Sequence, residues 1–323
     1  MKGLWKLKLR SWFIMVVMFG LVYLIMMVAG HFLGLRGFYG LYFIMGLVVL
    51  FLQYLAGPTI VEKSMGVEYL SEAEAPHIHK IVEELAIAAN IPKPKVGISP
   101  TSVPNAFAYG RTKRSGHVCV TQGILRTLNR DELKAVLGHE ISHIKHNDMA
   151  ITTIVSAIPL ICYYVGFSFI FSGSSEDRGG GIIIGALALV AYFIGQLLVL
   201  FLSRVREYYA DEGSVSLGCR PEDLASALYK LVYGAATCPD SEIKDVEGTK
   251  AFFLTDVSSA KREINSLSQL DLNNDGNISE EELKSLRDSK VNISSQAKIM
   301  ELLSTHPDML KRVKRLSELD YNN

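Results

Sequence analysis

Hydrophobic and polar positions are spread very unevenly along this chain. Four uncharged apolar runs, at about residues 12–30, 38–57, 150–172 and 181–203, are each long enough to cross a bilayer as a helix. Two mixed stretches, 58–149 and 204–323, carry most of the charges. The pattern predicts a transmembrane hairpin in 1–57 and another in 150–203. The two polar stretches then share one side of the membrane and can pack into a single domain. Within 58–149, "NRDELKAVLGHEISHIKHND" has helical periodicity, with Leu133, Val136, Leu137 and Ile141 as its apolar stripe. Asn129 followed by Glu132 has the spacing of a capping box, which marks the start of that helix.

Composition agrees with spans diluted by a soluble part: 49% of residues are apolar and only 20% charged, with a mean hydropathy of +0.23. Lys2, Lys6, Lys8 and Arg10 precede the first run. No small-residue cleavage site follows it and a second run comes at once, so a retained anchor is expected rather than a signal peptide. The short turn at 31–37 holds only Arg36, and in the turn "GSSEDRGGG" Arg178 is offset by Glu176 and Asp177. The segments after the second and fourth runs are rich in lysine and arginine. By the positive-inside rule both termini and the polar domain face the cytoplasm. Net charge is zero, so bulk charge offers no argument for a nucleic acid partner. The four cysteines form no CxxC pair, which argues against a cysteine metal site and for free thiols in a reducing compartment.

The candidate chemistry sits on the capped helix. His139 and His143 are one turn apart, so their imidazoles can meet at one ion, and Glu140 projects beside them, suited to take a proton from water. Two surface histidines on an ordinary amphipathic helix would look the same, so a third ligand must decide. His146 lies a further turn along. Three turns of a straight helix spread their side chains over about 10 Å, too far to close round one ion at about 2 Å. His146 is better placed as a C-terminal residue whose positive charge suits the helix dipole. "SRVREYYADEGSV", just after the fourth run, puts Glu207 and Asp211 on one helix face. Glu207 can complete two histidines and a carboxylate, and Asp211 can accept the other ring N–H of a ligating histidine. Alone, an ExxxD pair is usually a solvated helix face; its place at the end of a membrane run gives it weight.

Together "HEISHIKHND", "SRVREYYADEGSV", "VPNAFAYG" and "STHPDMLKRVKRL" resemble, in content and in order, the HtpX group of membrane-bound zinc metalloproteases. The similarity runs from the N-terminus to about residue 233 and again from about 302. It implies a mainly α, α+β fold: four transmembrane helices plus a cytoplasmic zincin-like metalloprotease domain with a small β-sheet. It implies a plasma-membrane endopeptidase of a prokaryotic-type cell that degrades misfolded or damaged membrane proteins under stress. One zinc would be held by His139, His143 and Glu207, with Glu140 as general base. Asn105, Ala106, Phe107 and Ala108 would pair with the substrate backbone as an added strand. His306 and Arg312 would reach the site and stabilise the anionic tetrahedral intermediate. Protein substrates and the lipid bilayer are the implied partners. A CAAX-type prenyl-protein peptidase shares HExxH and ExxxD but carries more spans. A calcium-responsive membrane scaffold with an inactive protease site is the non-enzyme alternative, which an intact Glu140 disfavours.

The resemblance lapses between about 238 and 300. There "DLNNDGNISEEE" has the spacing of an EF-hand calcium loop: Asp271, Asn273, Asp275, the Asn277 carbonyl, Ser279 through water, and Glu282, with Gly276 at the sharp turn and Ile278 in the centre. The flanking segments 259–270 and 280–288 can both be helical. EF-hands usually work in pairs, so a homo-oligomer would supply a second loop. The segment reads as an accessory insert that can bind calcium.

Overall fold

The computed structural model describes residues 39–171, 178–239, 241–243, 253–254, 260–267, 269–273, 275–289 and 295–319. The first apolar run, its basic flank and most of the turn between the third and fourth runs lie outside the described residues. By its internal contacts the chain divides into two compact units. One comprises residues up to Ala56 with Ala150–Val205, the other Gly57–Met149 with residues from Arg206 onward.

In the first unit, helices α1 (Tyr39–Ser64), α5 (Asp148–Phe171) and α6 (Arg178–Ser216) carry the second, third and fourth apolar runs. α1 continues beyond the apolar run that ends at Gly57, with Pro58 inside the helix. Among the described residues, two helices are long and apolar enough to cross a membrane, over Asp148–Phe167 and Gly180–Ser216. Only 35% and 28% of their most apolar windows are buried. The core helix of a water-soluble protein would hide most of such a surface, whereas here Ile183, Leu187 and Phe193 are more than half exposed.

The second unit is mainly helical with one small sheet. Four strands, β1 (Glu68–Tyr69), β2 (Lys95–Ser99), β3 (Ala106–Tyr109) and β4 (His117–Thr121), lie in the order β1-β2-β4-β3. β2 and β4 are parallel, and β3 runs antiparallel to β4, with Phe107 opposite Cys119. β3 therefore ends the sheet, its other edge unpaired by any described strand. The sheet shares one core with α2 (Pro76–Ala89), α3 (Gln122–Thr127), α4 (Arg130–His146), the end of α6, α7 (Pro221–Thr237), α8 (Ala260–Leu267), α9 (Glu280–Asp288) and, after the short helix α10 (Ser295–Leu302), α11 (Met309–Leu316).

α4 begins where its sequence requires. The Asn129 side chain accepts from the amides of Asp131 and Glu132, and Glu132 returns a bond to the Asn129 amide. Glu132 also takes Ser226 Oγ and Lys230 Nζ of α7, each at 2.7 Å, so this cap fastens α4 to its neighbour. The approach of α6 to α4 depends on absent side chains. A Cβ at Gly213 would overlap Ser142 Oγ and stand 2.6 Å from its Cβ, and one at Gly138 would meet Ser214 Oγ at 2.9 Å. Ser214 Oγ donates across the contact to the Ala135 carbonyl at 2.7 Å. Overpacking of this kind costs about 1–3 kcal/mol. Gly213→Val is therefore expected to lower the melting temperature of the detergent-purified protein clearly, whereas Gly57→Ala, where a Cβ meets nothing, should leave it unchanged.

Candidate active site

α4 and the last turns of α6 lie side by side, and their polar residues meet at one buried point. His139 Nε2 and His143 Nε2 are 3.1 Å apart with their rings nearly perpendicular, at 83°. Glu207 faces both: one carboxylate oxygen is 3.6 Å from His139 Nε2, the other 3.7 Å from His143 Nε2. Four ligands held tetrahedrally at about 2.0–2.1 Å from an ion stand about 3.3 Å from one another, so this spacing fits a zinc site. The unmet polar atoms point the same way. Glu207 Oε2 and both ring nitrogens of His306 are buried without a hydrogen-bond partner, and His306 Nδ1 is 3.5 Å from that oxygen. Glu140 also stands close, offering an oxygen within 4.8 Å of the histidine nitrogens.

Asp211 orients the first ring. Its Oδ1 is 2.9 Å from His139 Nδ1, which turns Nε2 toward His143 and Glu207. Burial opposes a charge on His139, but the carboxylates of Asp211 and Glu207 outweigh it and push its pKa up to about 9. Burial and the nearby His139 push His143 down to about 4. A cation binding between the two rings would displace any proton held there. Burial also raises the pKa of Glu140, partly offset by the neighbouring histidines. Its helix α4 packs against edge strand β3.

Two sequence expectations need correction. Arg312 reaches the site but is completely buried, with its guanidinium already committed. Nε and Nη2 donate to the two oxygens of Asp211 at 2.9 and 2.7 Å, and Nη1 donates to the Leu254 carbonyl at 3.0 Å and lies 3.3 Å from Glu207. Arg312 holds the acidic pair in place rather than facing a substrate. His146, expected as a cation at the end of α4, is driven by burial down to about 4 and is neutral, its Nδ1 3.2 Å from Ser142 Oγ.

Asn105, Ala106, Phe107 and Ala108 are buried at and just before β3. The Asn105 amide and carbonyl are used by Thr121, and its side-chain oxygen accepts the Leu254 amide at 2.9 Å. Leu254 therefore ties β3 to Arg312. Sequence reasoning missed it because it lies in the stretch taken as an insert. Phe253, Leu254, Ala260, Leu267 and Leu270 belong to the main core, so that stretch is not a detached accessory.

The loop from Asp271 to Glu282 does sit between two helices, α8 and α9, and Gly276 takes the left-handed conformation at φ +80°. Asp271 accepts from the amides of Asp275 and Gly276 and from Tyr229 of α7. Asn273 and Asn277 bond Asp275, and Ile278 is buried. Ser279 caps α9 and shares a capping box with Glu282, whose other oxygen takes the Leu272 amide at 2.7 Å. The glutamate at the end of the loop is thus a helix-capping residue.

Peptidase family M48 matches residues 72–320 of the chain. A protein named "Protease HtpX homolog" from Methanothermobacter thermautotrophicus is 60% identical over 230 residues, 71% of this chain and 86% of that protein. Another of the same name, from Bifidobacterium longum, is 39% identical over 259 residues, 78% of this chain and 84% of that protein. Among solved structures, the crystal structure of S. mikatae Ste24p superposes with a TM-score of 0.52 at 17% identity, over 98% of this chain and 67% of that one. At that identity the likeness concerns the fold alone. With HExxH on a capped helix and ExxxD on the helix packed against it, the chain belongs to peptidase family M48, as a membrane metalloprotease of the HtpX type.

Proposed function

We propose that this metalloprotease cleaves damaged or misfolded membrane proteins on the cytoplasmic side of a plasma membrane, using zinc held by His139, His143 and Glu207. The observation that carries this reading is the near-tetrahedral spacing of two Nε2 atoms and one carboxylate in a buried pocket beside a sheet edge. When bound, zinc supplies Lewis acidity: it polarises a carbonyl and lowers the pKa of water to about 7. The chain's own groups do the rest. The outer edge of β3 pairs with the substrate main chain and lays the scissile bond beside Glu140. Glu140, its pKa raised by burial, accepts the proton of the attacking water and passes it to the leaving amine. His306, with two unpartnered ring nitrogens, donates to the developing oxyanion. Neither the prenyl-protein peptidase nor the scaffold alternative gains a specific observation.

Glu140→Gln should reduce cleavage of an unfolded protein such as casein by about 10²–10⁴-fold, the usual contribution of a general base, while zinc content by metal analysis stays at one per chain. Wild-type cleavage by that variant would refute the role of Glu140.

We read the membrane topology as four spans with both termini inside, supported by the three described apolar helices and by the basic flanks. A reporter fused after Asn323 should then be active only as a cytoplasmic form, and activity of a periplasmic form would overturn the orientation.

The loop from Asp271 to Glu282 is proposed to take calcium, supported by its twelve-residue spacing, its flanking helices and the left-handed Gly276. Titration calorimetry on the full-length protein should give calcium-dependent heat that Glu282→Gln abolishes. No heat at millimolar calcium would refute the site.

A further inference from the structure

The second histidine of the motif has a support of its own. His143 Nδ1 is 2.7 Å from Asp148 Oδ2, and Asp148 is in direct ion-pair contact with Arg206. All three lie in the same compact unit, and Asp148 and Arg206 are more than nine-tenths buried. Asn147, in the left-handed conformation at φ 55°, ends α4, and α5 starts at once with Asp148, whose carboxylate reaches His143 in the last turn of α4. Arg206 arrives from α6 one residue before Glu207.

The arrangement repeats that at His139. There Nδ1 meets Asp211, which Arg312 holds; here Nδ1 meets Asp148, which Arg206 holds. With both Nδ1 atoms facing carboxylates, each ring keeps its N–H on that side and turns the Nε2 lone pair toward the other ring and Glu207. A buried carboxylate is costly unless paired, and each arginine offsets that cost.

We propose that Asp148, held by Arg206, is a positioning residue for the metal site, fixing the tautomer and ring plane of His143 as Asp211 does for His139. The proposal rests on the zinc reading above. The competing role for Asp148 is structural: an acidic residue in the first turn of α5 stabilises that helix through its dipole whatever His143 does.

The test uses full-length protein in detergent, with zinc affinity measured by competition against a chromophoric chelator and cobalt(II) as a spectroscopic probe. Wild-type protein that binds no zinc would overturn the underlying zinc reading, and the present inference with it. Given wild-type binding, Asp148→Ala is expected to weaken zinc about 10–100-fold, as loss of a group bonded to a ligating histidine does, and to alter the cobalt d–d spectrum. Asp148→Asn, which still accepts from Nδ1–H, should lose less. Arg206→Met should weaken zinc too, but add nothing to Asp148→Asn, because it acts through that carboxylate. A lowered melting temperature with zinc affinity within about twofold of wild type would assign Asp148 to helix stability and overturn the proposal. If Asp148→Ala does not fold, wild-type affinity and cobalt spectrum in Asp148→Asn overturn it equally.

Discussion

The fully buried pair of Arg312 and Asp211 is the interaction on which the rest of the site depends. Both carboxylate oxygens are taken by the guanidinium, one of them also faces His139, and the remaining arm of Arg312 reaches the Leu254 carbonyl beside Glu207. A buried ion pair contributes little net stability, because desolvating two charges consumes most of the Coulombic gain. What it supplies is position. Four segments distant in sequence, α4, the end of α6, residues 253–254 and α11, meet at these charges, where His139, His143 and Glu207 come together.

Close packing makes that arrangement reachable. Gly138 and Gly213 let α4 and α6 approach until Ser214 bonds a backbone carbonyl of α4. Side chains as short as Glu and Asp can then span from one helix to the imidazoles of the other. The sheet is tied to the same centre through Leu254, whose amide bonds Asn105 and whose carbonyl bonds Arg312. The β3 end of the sheet and the acidic pair are therefore braced by one residue.

The helix–loop–helix from α8 to α9 joins this network at its far side. Arg287 donates to the Ser317 carbonyl at 2.8 Å, and Lys314 donates to the Leu286 carbonyl at 2.8 Å. α9 is thus pinned along α11, the helix that carries Arg312. Its core residues Leu267, Leu270, Ile278, Leu283 and Leu286 are shared with the main domain, so the segment is part of the wall behind the site.

Much of this was legible along the chain, because the features concerned are local. Residue spacing determines which side chains share a helix face, so His139 with His143 and Glu207 with Asp211 could be paired on paper, as could the Asn129–Glu132 cap. Charge-free length marked the apolar helices, and the Asn, Asp and Gly residues at 271–277 marked the turn between α8 and α9. What spacing does not carry is which faces meet. Arg312 had the right address and the wrong task, since only the packed structure shows that Asp211 consumes its donors. His146 looked cationic until burial made it neutral. Leu254 makes its contacts through a backbone amide and a carbonyl, neither of which leaves a residue-type pattern. The chain alone determined the chemistry available, helix by helix. Tertiary packing decided which group faces which, because burial and partner geometry, not residue identity, set how each charge is spent.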